Sequence, residues 1–174
     1  MRGRGVRAFV IVAASCALAA CATVTRYGAS SDIHAFLVAV RDGDQAAFDA
    51  HIDRPALKAN LKARLLTVAA DHYGAQSPKT LGVFVLAGPL ANLAVDSLAR
   101  PEVFQAAAAL LGYGPDTAIP NFLIIGQAVK PLDSERVCVM AKGRCTFVFR
   151  NEDGAWKMIA FDGDLGLLAR RARS

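Results

Sequence analysis

Hydrophobic residues repeat along this chain in two different ways. Between residues 32 and 111 they recur at every third or fourth position, which is the period of one face of an α-helix. From residue 119 they form short β-branched and aromatic runs separated by turn-forming residues, which is typical of strands. The pattern predicts one α+β domain over residues 32–164, with N-terminal helices packed on a C-terminal antiparallel sheet of three to four strands.

Start signals mark the first three predicted helices. Asp32 and Asp44 each precede an apolar periodic segment and are expected to cap the helix that follows. Asp53-Arg54-Pro55 opens the third helix, because proline is favoured in a first turn. The second helix is short and runs through His51, whereas the third is the longest and ends at Gly74. The buried face of the third helix is predicted to comprise Leu57, Leu61, Leu65, Val68 and His72.

The segment 81–98 is the most apolar stretch after the N-terminal segment. It is barely long enough to span a bilayer, and Gly88 and Pro89 interrupt it. We therefore predict two helices buried against each other, with a membrane span as the alternative. A further helix is expected from Pro101 to Leu111.

Four runs beyond residue 119 are predicted to form an antiparallel meander: 122–130, 136–140, 144–150 and 156–161. The segments 131–134, 140–143 and 151–154 are rich in turn-forming residues and are predicted to connect them. Residues 165–174 form a basic C-terminal tail that is expected to fray from Arg170.

The first 20 residues have the pattern of a lipoprotein signal peptide. Three arginines precede an uncharged stretch over 8–20 that is too short for a permanent membrane span. The sequence Leu-Ala-Ala-Cys ending at Cys21 resembles the bacterial lipobox, in which the cysteine thiol receives diacylglycerol. Cys16 is the poorer acceptor because no branched apolar residue stands before it. The alternative is an ordinary signal peptide in which Cys21 is incidental.

Acylation at Cys21 predicts a protein that is anchored to a membrane without spanning it. Residues 21–31 lack periodicity and are predicted to form a lipidated tether. Ala22 rather than Asp follows the cysteine, which favours the outer over the inner membrane. We expect a periplasm-facing envelope lipoprotein whose partners are the membrane and an envelope protein. The sequence predicts no oligomeric state.

Two cysteines remain after this processing, in an oxidising compartment. Cys138 and Cys145 flank the turn 140–143, and in the predicted register they lie opposite each other. Opposed Cβ atoms about 4.5 to 5.5 Å apart are close enough for a disulfide with some local twist. The alternative is a pair of buried thiols that behave as small hydrophobic groups.

Composition and charge narrow the class of protein. With 54% hydrophobic and 20% charged residues, the chain is typical of a globular protein. The formal charge of +5 falls to +2 when residues 1–20, which contain three arginines, are removed. A charge this small and scattered does not indicate a nucleic-acid-binding surface, and nucleic acid is not an expected partner.

One segment is distinctive enough to indicate a family. It contains Gly-Asp at 43–44, Ala-Phe at 47–48 and Ile-Asp-Arg-Pro-Ala-Leu-Lys-Ala-Asn-Leu-Lys over 52–62. This segment resembles a bacterial envelope family catalogued as domain of unknown function 2939. Arg-Pro-Glu over 100–102 and the segment 154–159 resemble its helix opening and last strand, although Arg54 stands where the family has Phe. The resemblance implies helices and a sheet behind a signal or anchor, and implies no activity.

The histidines form no metal-binding or catalytic motif. His72 shares a helical face with apolar residues, so we predict a structural role for it in the core. His51 ends a short helix, and His34 lies in a first turn where it is expected to be solvated. No zinc-binding spacing occurs, and neither a metal nor another cofactor is predicted.

The paired carboxylates are predicted to serve turns. Asp42 and Asp44 bracket a glycine, as do Asp162 and Asp164, and glycine between acidic residues is typical of turns and caps. The second pair lacks the further ligands of a calcium-binding loop. No nucleophile elbow or nucleotide-binding loop occurs. No catalytic residue is therefore assigned.

Two functions remain. The first is a lipid-anchored, non-catalytic binding or interaction module. The second is a small-ligand-binding or hydrolytic protein with a pocket between sheet and helices and with Asp71 or His72 at its floor. Converging polar groups in a deep pocket would favour hydrolysis.

Overall fold

The computed structural model describes residues 25–110, 114, 116–141 and 143–161, in which helices precede a four-stranded sheet. The α+β class and the order of the two parts predicted from the sequence are confirmed. The helices are α1 over 25–42, α2 Gln45–Ala50, α3 Arg54–Tyr73, α4 Pro78–Leu98, α5 Pro101–Leu110 and α6 Phe122–Ala128. The strands are β1 Val129–Pro131, β2 Arg136–Ala141, β3 Arg144–Glu152 and β4 Ala155–Phe161.

The sheet is an antiparallel meander in the order β1-β2-β3-β4. A two-residue loop joins β3 to β4, and its residues Asp153 and Gly154 have φ values of 52° and 89°. Positive φ at both positions matches the twist of the flanking strands, which explains the Asp-Gly sequence. The chain at Ile52 pairs in parallel with Met158 and so covers part of the free edge of β4.

The core lies between the sheet and the first two helices. Phe36 on α1 and Phe48 on α2 stack with ring centroids 5.4 Å apart, and both rings contact Phe104 on α5. Phe149 on β3 meets Phe36 edge to face at 5.9 Å, and Met158 on β4 is fully buried. Aromatic rings from four elements therefore join helices and sheet into one core.

Helices α3 and α4 form an antiparallel hairpin. Thr80 joins the two helices, because its hydroxyl donates to the carbonyl of Gly74 at 2.7 Å. The inner side of α4 buries small residues, including Ala87 and Ala91. Large apolar side chains of α4 are exposed: Leu81, Phe84, Val85, Leu86, Leu90 and Leu93. By length and composition alone, α4 is a helix that could cross a membrane.

The predicted tether over 21–31 is wrong for residues 25–31, which belong to α1. Ala29 and Ser30 are fully buried, and a Cβ added to Gly28 would lie 3.6 Å from the indole nitrogen of Trp156. Small residues allow this close approach, but they give no apolar period that sequence reasoning could detect. Asp32 consequently does not cap a helix, and its carboxylate accepts from the backbone N–H of Trp156 at 2.7 Å.

The predicted buried face of α3 holds only in its first half. Leu57 and Leu61 pack against the core, whereas Val68 is 59% exposed and His72 is exposed. The first half of α3 contacts β4, and the second half extends beyond the sheet. Periodicity alone therefore overestimates how much of the helix is covered.

The prediction of two buried helices in 81–98 is also wrong. One continuous helix contains Pro89, and most of its apolar surface is exposed. Pro89 is exposed, and the helix continues through it although proline donates no main-chain hydrogen bond.

The run 122–130 was predicted as a strand, but most of it is helix α6. The side chain of Asn121 accepts from the N–H of Ile124 at 3.0 Å and caps this helix. A short apolar run has no period long enough to distinguish the two structures. The predicted tail over 165–174 lies outside the described residues.

Candidate functional site

An apolar pocket of about 240 Å³ lies where the α3–α4 hairpin and α5 meet the sheet. Leu57 and Leu61 of α3 form one wall, and Phe104 of α5 and Met158 of β4 contribute the interior side. The remaining lining residues are Asn60, Arg64, Ala94, Val95, Leu98, Ala99, Val103, Ala107, Val148, Ala160 and Phe161. A pocket between helices and sheet was expected, and its lining is almost entirely hydrocarbon.

The polar side chains that line the pocket are bound to the backbone. The amide nitrogen of Asn60 donates to the carbonyls of Ala56 at 2.9 Å and Ile159 at 3.1 Å. The guanidinium of Arg64 donates to the carbonyl of Phe161 at 3.5 Å. These bonds attach α3 to the C-terminal half of β4. They do not place an acid and a base opposite one another, which general acid–base hydrolysis requires.

Asp71 and His72 do not form the floor of this pocket. Both side chains are exposed near the end of α3, and the ring of His72 contacts the ring of Tyr73 edge to face at 4.6 Å. The prediction of a core role for His72 and the prediction that it lines a pocket are therefore both wrong. Extension of α3 beyond the sheet explains both errors.

The other two histidines have structural contacts. Nδ1 of His34 donates to the carbonyl of Pro120 at 3.0 Å, so this half-buried residue ties α1 to the segment before α6. His51 ends α2, and its carbonyl accepts from the N–H of Met158 at 2.9 Å. Within the described residues, no three His, Cys, Asp or Glu side chains are grouped to hold a metal ion.

The family-like segment over 52–62 forms the corner between α3 and the sheet. One carboxylate oxygen of Asp53 accepts from the N–H of Ala56 at 2.9 Å, and the other accepts from Arg150 at 2.7 Å. Arg150 also pairs with Glu152, which contacts Lys157 at 3.3 Å. Asp53 therefore caps α3, which begins where the sequence predicted, and the corner has the contacts of a structural joint.

Electrostatics at this corner favour the charged forms. The hydrogen bond from Arg150 lowers the pKa of Glu152, and the same hydrogen bond raises the pKa of Arg150. Arg54, which stands where the family has Phe, donates to Asp49 at 2.6 Å and to the carbonyl of Ala99 at 2.9 Å. Polar bonds therefore occupy a position where the resemblance implied an apolar contact.

The sulfur atoms of Cys138 and Cys145 are joined at 2.06 Å, with Cα atoms 5.6 Å apart. The predicted register is wrong, because Met140 pairs with Cys145 and Cys138 pairs with Val148. An irregularity between Val139 and Met140 accounts for the difference, and it brings the two cysteines together diagonally. Cys21, the predicted acylation site, lies outside the described residues.

A comparison with protein families gives one match. The model of a family described as protein of unknown function (DUF2939) matches residues 12–107, which is more than half of the chain. The chain belongs to this family. The match covers the described part of the chain from α1 into α5, and the sheet lies outside it. The likeness of residues 154–159 to the family's last strand is therefore not part of the match.

The other comparisons add no relative. No curated protein and no solved structure matches the chain. Family membership agrees with the resemblance seen in the sequence, and it carries no activity with it.

Sequence reasoning did not identify the pocket residues. Leu57 and Leu61 were assigned to a buried face, and their apolar character gave no sign that the face would border a cavity. The small residues Ala94, Ala99 and Ala107 are the available signal, because small side chains where helices converge leave space unfilled. That signal depends on knowing which helices meet.

Proposed function

We propose that this protein is a lipid-anchored envelope domain that binds a small apolar ligand in the pocket between the α3–α4 hairpin, α5 and the sheet, without catalysing a reaction. The hydrocarbon lining of the pocket carries the proposal. A concave site lined mainly by apolar side chains takes up apolar molecules of matching size. The volume of about 240 Å³ favours a small molecule or the end of an alkyl chain.

The polar groups support binding over hydrolysis. Asn60 and Arg64 donate to backbone carbonyls, and the lining provides no nucleophile with an adjacent base. The anchor part of the proposal rests on the sequence ending at Cys21. An attached domain facing the periplasm would meet apolar molecules that move between or within membranes.

A methionine methyl group provides a direct test. The full chain contains three methionines, of which Met158 lines the pocket and Met140 does not. We expect titration of methyl-labelled protein with octanol to shift the Met158 methyl resonance saturably and to leave Met140 in place. Met158→Leu assigns the resonance.

Two variants of α5 separate pocket binding from surface binding. Ala107 lines the pocket, whereas Ala109 is exposed on the same helix. Ala107→Phe should fill the cavity and weaken octanol binding at least tenfold, and Ala109→Phe should leave the dissociation constant within about twofold. Equal binding by both variants, or no saturable shift in the wild type, would contradict the proposal.

A further inference from the structure

The outer side of α4 has the properties of a membrane-contacting surface. Phe84 and Val85 are 60% and 72% exposed, and four leucines extend the same apolar surface along the helix. No charged residue occurs between Lys79 and Asp96. Monomeric proteins in water rarely expose a continuous apolar surface along a helix of this length, so this side of the hairpin requires a partner.

We propose that the outer face of α4, defined here as Leu81, Val85, Leu86, Leu90 and Leu93 with Phe84 at its edge beside α3, inserts into the surface layer of an anionic lipid bilayer with the helix lying along the membrane. This proposal does not depend on the ligand pocket, which lies on the inner side of the hairpin. It assigns the exposed face to lipid and gives the domain a second membrane contact besides the expected acyl anchor.

The partner helix excludes a transmembrane arrangement. Helix α3 packs along α4 and carries Lys58, Lys62, Arg64 and Asp71. If α4 crossed the bilayer, these charges would enter the hydrocarbon layer, where each costs several kcal/mol. A helix lying at the surface avoids this cost, because its outer face enters the lipid while α3 stays in water.

The positive charge of the hairpin favours lipids with negatively charged headgroups. The hairpin over 54–98 contains five basic and two acidic residues, of which Arg54 pairs with Asp49 of α2 and Lys58 pairs with Asp96. The charge beyond these two pairs, from three basic residues and Asp71, is an excess of two positive charges. Nζ of Lys62 lies 5.9 Å from the centre of the Phe84 ring, and Nζ of Lys79 lies 5.3 Å from that of Tyr73. The ammonium groups thus lie beside aromatic rings at the margin of the apolar face. This is the arrangement that places lysines among lipid headgroups.

Quenching by brominated lipids tests the insertion directly. Val85→Trp places an indole on the outer face of α4, and Ala63→Trp places one on an exposed position of α3 as the matched control. The native Trp156 is buried and gives the baseline. Each full-length variant is reconstituted into vesicles of zwitterionic and anionic phospholipid with bromine on the acyl chains, and circular dichroism verifies folding.

The proposal predicts strong quenching of V85W above the Trp156 baseline and little quenching of A63W. Lys62→Gln together with Lys79→Gln in V85W should weaken association with anionic vesicles by about fivefold per lysine. Three results would overturn the proposal: no quenching of either variant, equal quenching of both, or quenching of V85W that decreases as the protein concentration rises. The last result would identify a second copy of the chain as the partner. Intact mass reports acylation separately, so loss of the anchor and failure of insertion are distinguishable.

Discussion

Phe48 and Phe84 show how differently two regions of this molecule use the same side chain. Phe48 is fully buried and contacts rings from α1 and α5, whereas Phe84 on α4 is 60% exposed. The first region holds helices and sheet together by burial. The second presents apolar surface that the fold does not use. The same residue type therefore stabilises the domain in one region and is available to a partner in the other.

Truncation of Phe48 should destabilise the domain far more than truncation of Phe84. Phe48→Ala should lower the free energy of unfolding by about 3 to 5 kcal/mol, because it leaves a cavity among packed rings. Phe84→Ala should change it by less than about 0.5 kcal/mol, because the ring is exposed. Urea unfolding of both variants measures the difference. Similar losses would show that the hairpin face contributes to the core after all.

The disulfide should stabilise the sheet region by a smaller amount. Cys145→Ser is expected to cost less than the roughly 3 kcal/mol estimated for a 15-residue loop, because the loop closed by Cys138 and Cys145 is shorter. Thermal unfolding under non-reducing conditions measures this loss. Two thiols that react with an alkylating reagent in unreduced protein from the cell envelope would show that the bridge is absent there.

The corner at Asp53 joins helix α3 to the sheet. Asp53→Ala removes both the cap of α3 and the bond to Arg150, so we expect a loss of about 2 kcal/mol. Asp44→Ala is the matched control, because Asp44 caps α2 through the N–H of Ala47. Its expected cost is about 1 kcal/mol. If denaturant unfolding gives the same loss of stability for Asp53→Ala and Asp44→Ala, the bond from Asp53 to Arg150 does not stabilise the contact between α3 and the sheet.

Acid should weaken the same corner. The hydrogen bond from Arg150 lowers the pKa of Glu152 in the folded protein, so its contribution to stability is present above the unfolded pKa and is lost as pH falls through the folded pKa. Glu152→Gln should therefore flatten the loss of stability below pH 4.5. Glu102→Gln on α5 serves as the control in melts across this range. If wild type and Glu152→Gln lose stability equally as the pH falls, Glu152 does not contribute to the acid sensitivity of the corner.

Local signals in the sequence predicted the parts of the fold that local chemistry determines. Asp44 caps α2 as expected, α3 begins at the predicted Asp53-Arg54-Pro55 segment, and the Asp153-Gly154 turn follows from the conformations those residues allow. The features that were predicted wrongly depend on contacts between residues far apart in the sequence. Gly28 on α1 lies beside the remote Trp156, and the exposure of His72 depends on where the sheet ends.

The candidate site was predicted only in outline. A pocket between helices and sheet was expected, but its position depends on how α3, α4 and α5 converge on β4. Asp71 and His72 have side chains suited to catalysis, but they lie near the end of the long helix α3, away from the pocket. The apolar segment 81–98 was recognised, yet its composition could not show which side would remain uncovered.

We propose that this domain works at a membrane to which Cys21 attaches it. Intact-mass analysis of the mature protein, purified from the membrane fraction, is the decisive test. We expect a chain that begins at Cys21 and carries a diacylglyceryl group, and we expect Cys21→Ser to abolish this modification. Wild-type protein with an unmodified Cys21, or cleavage at another position, would contradict it.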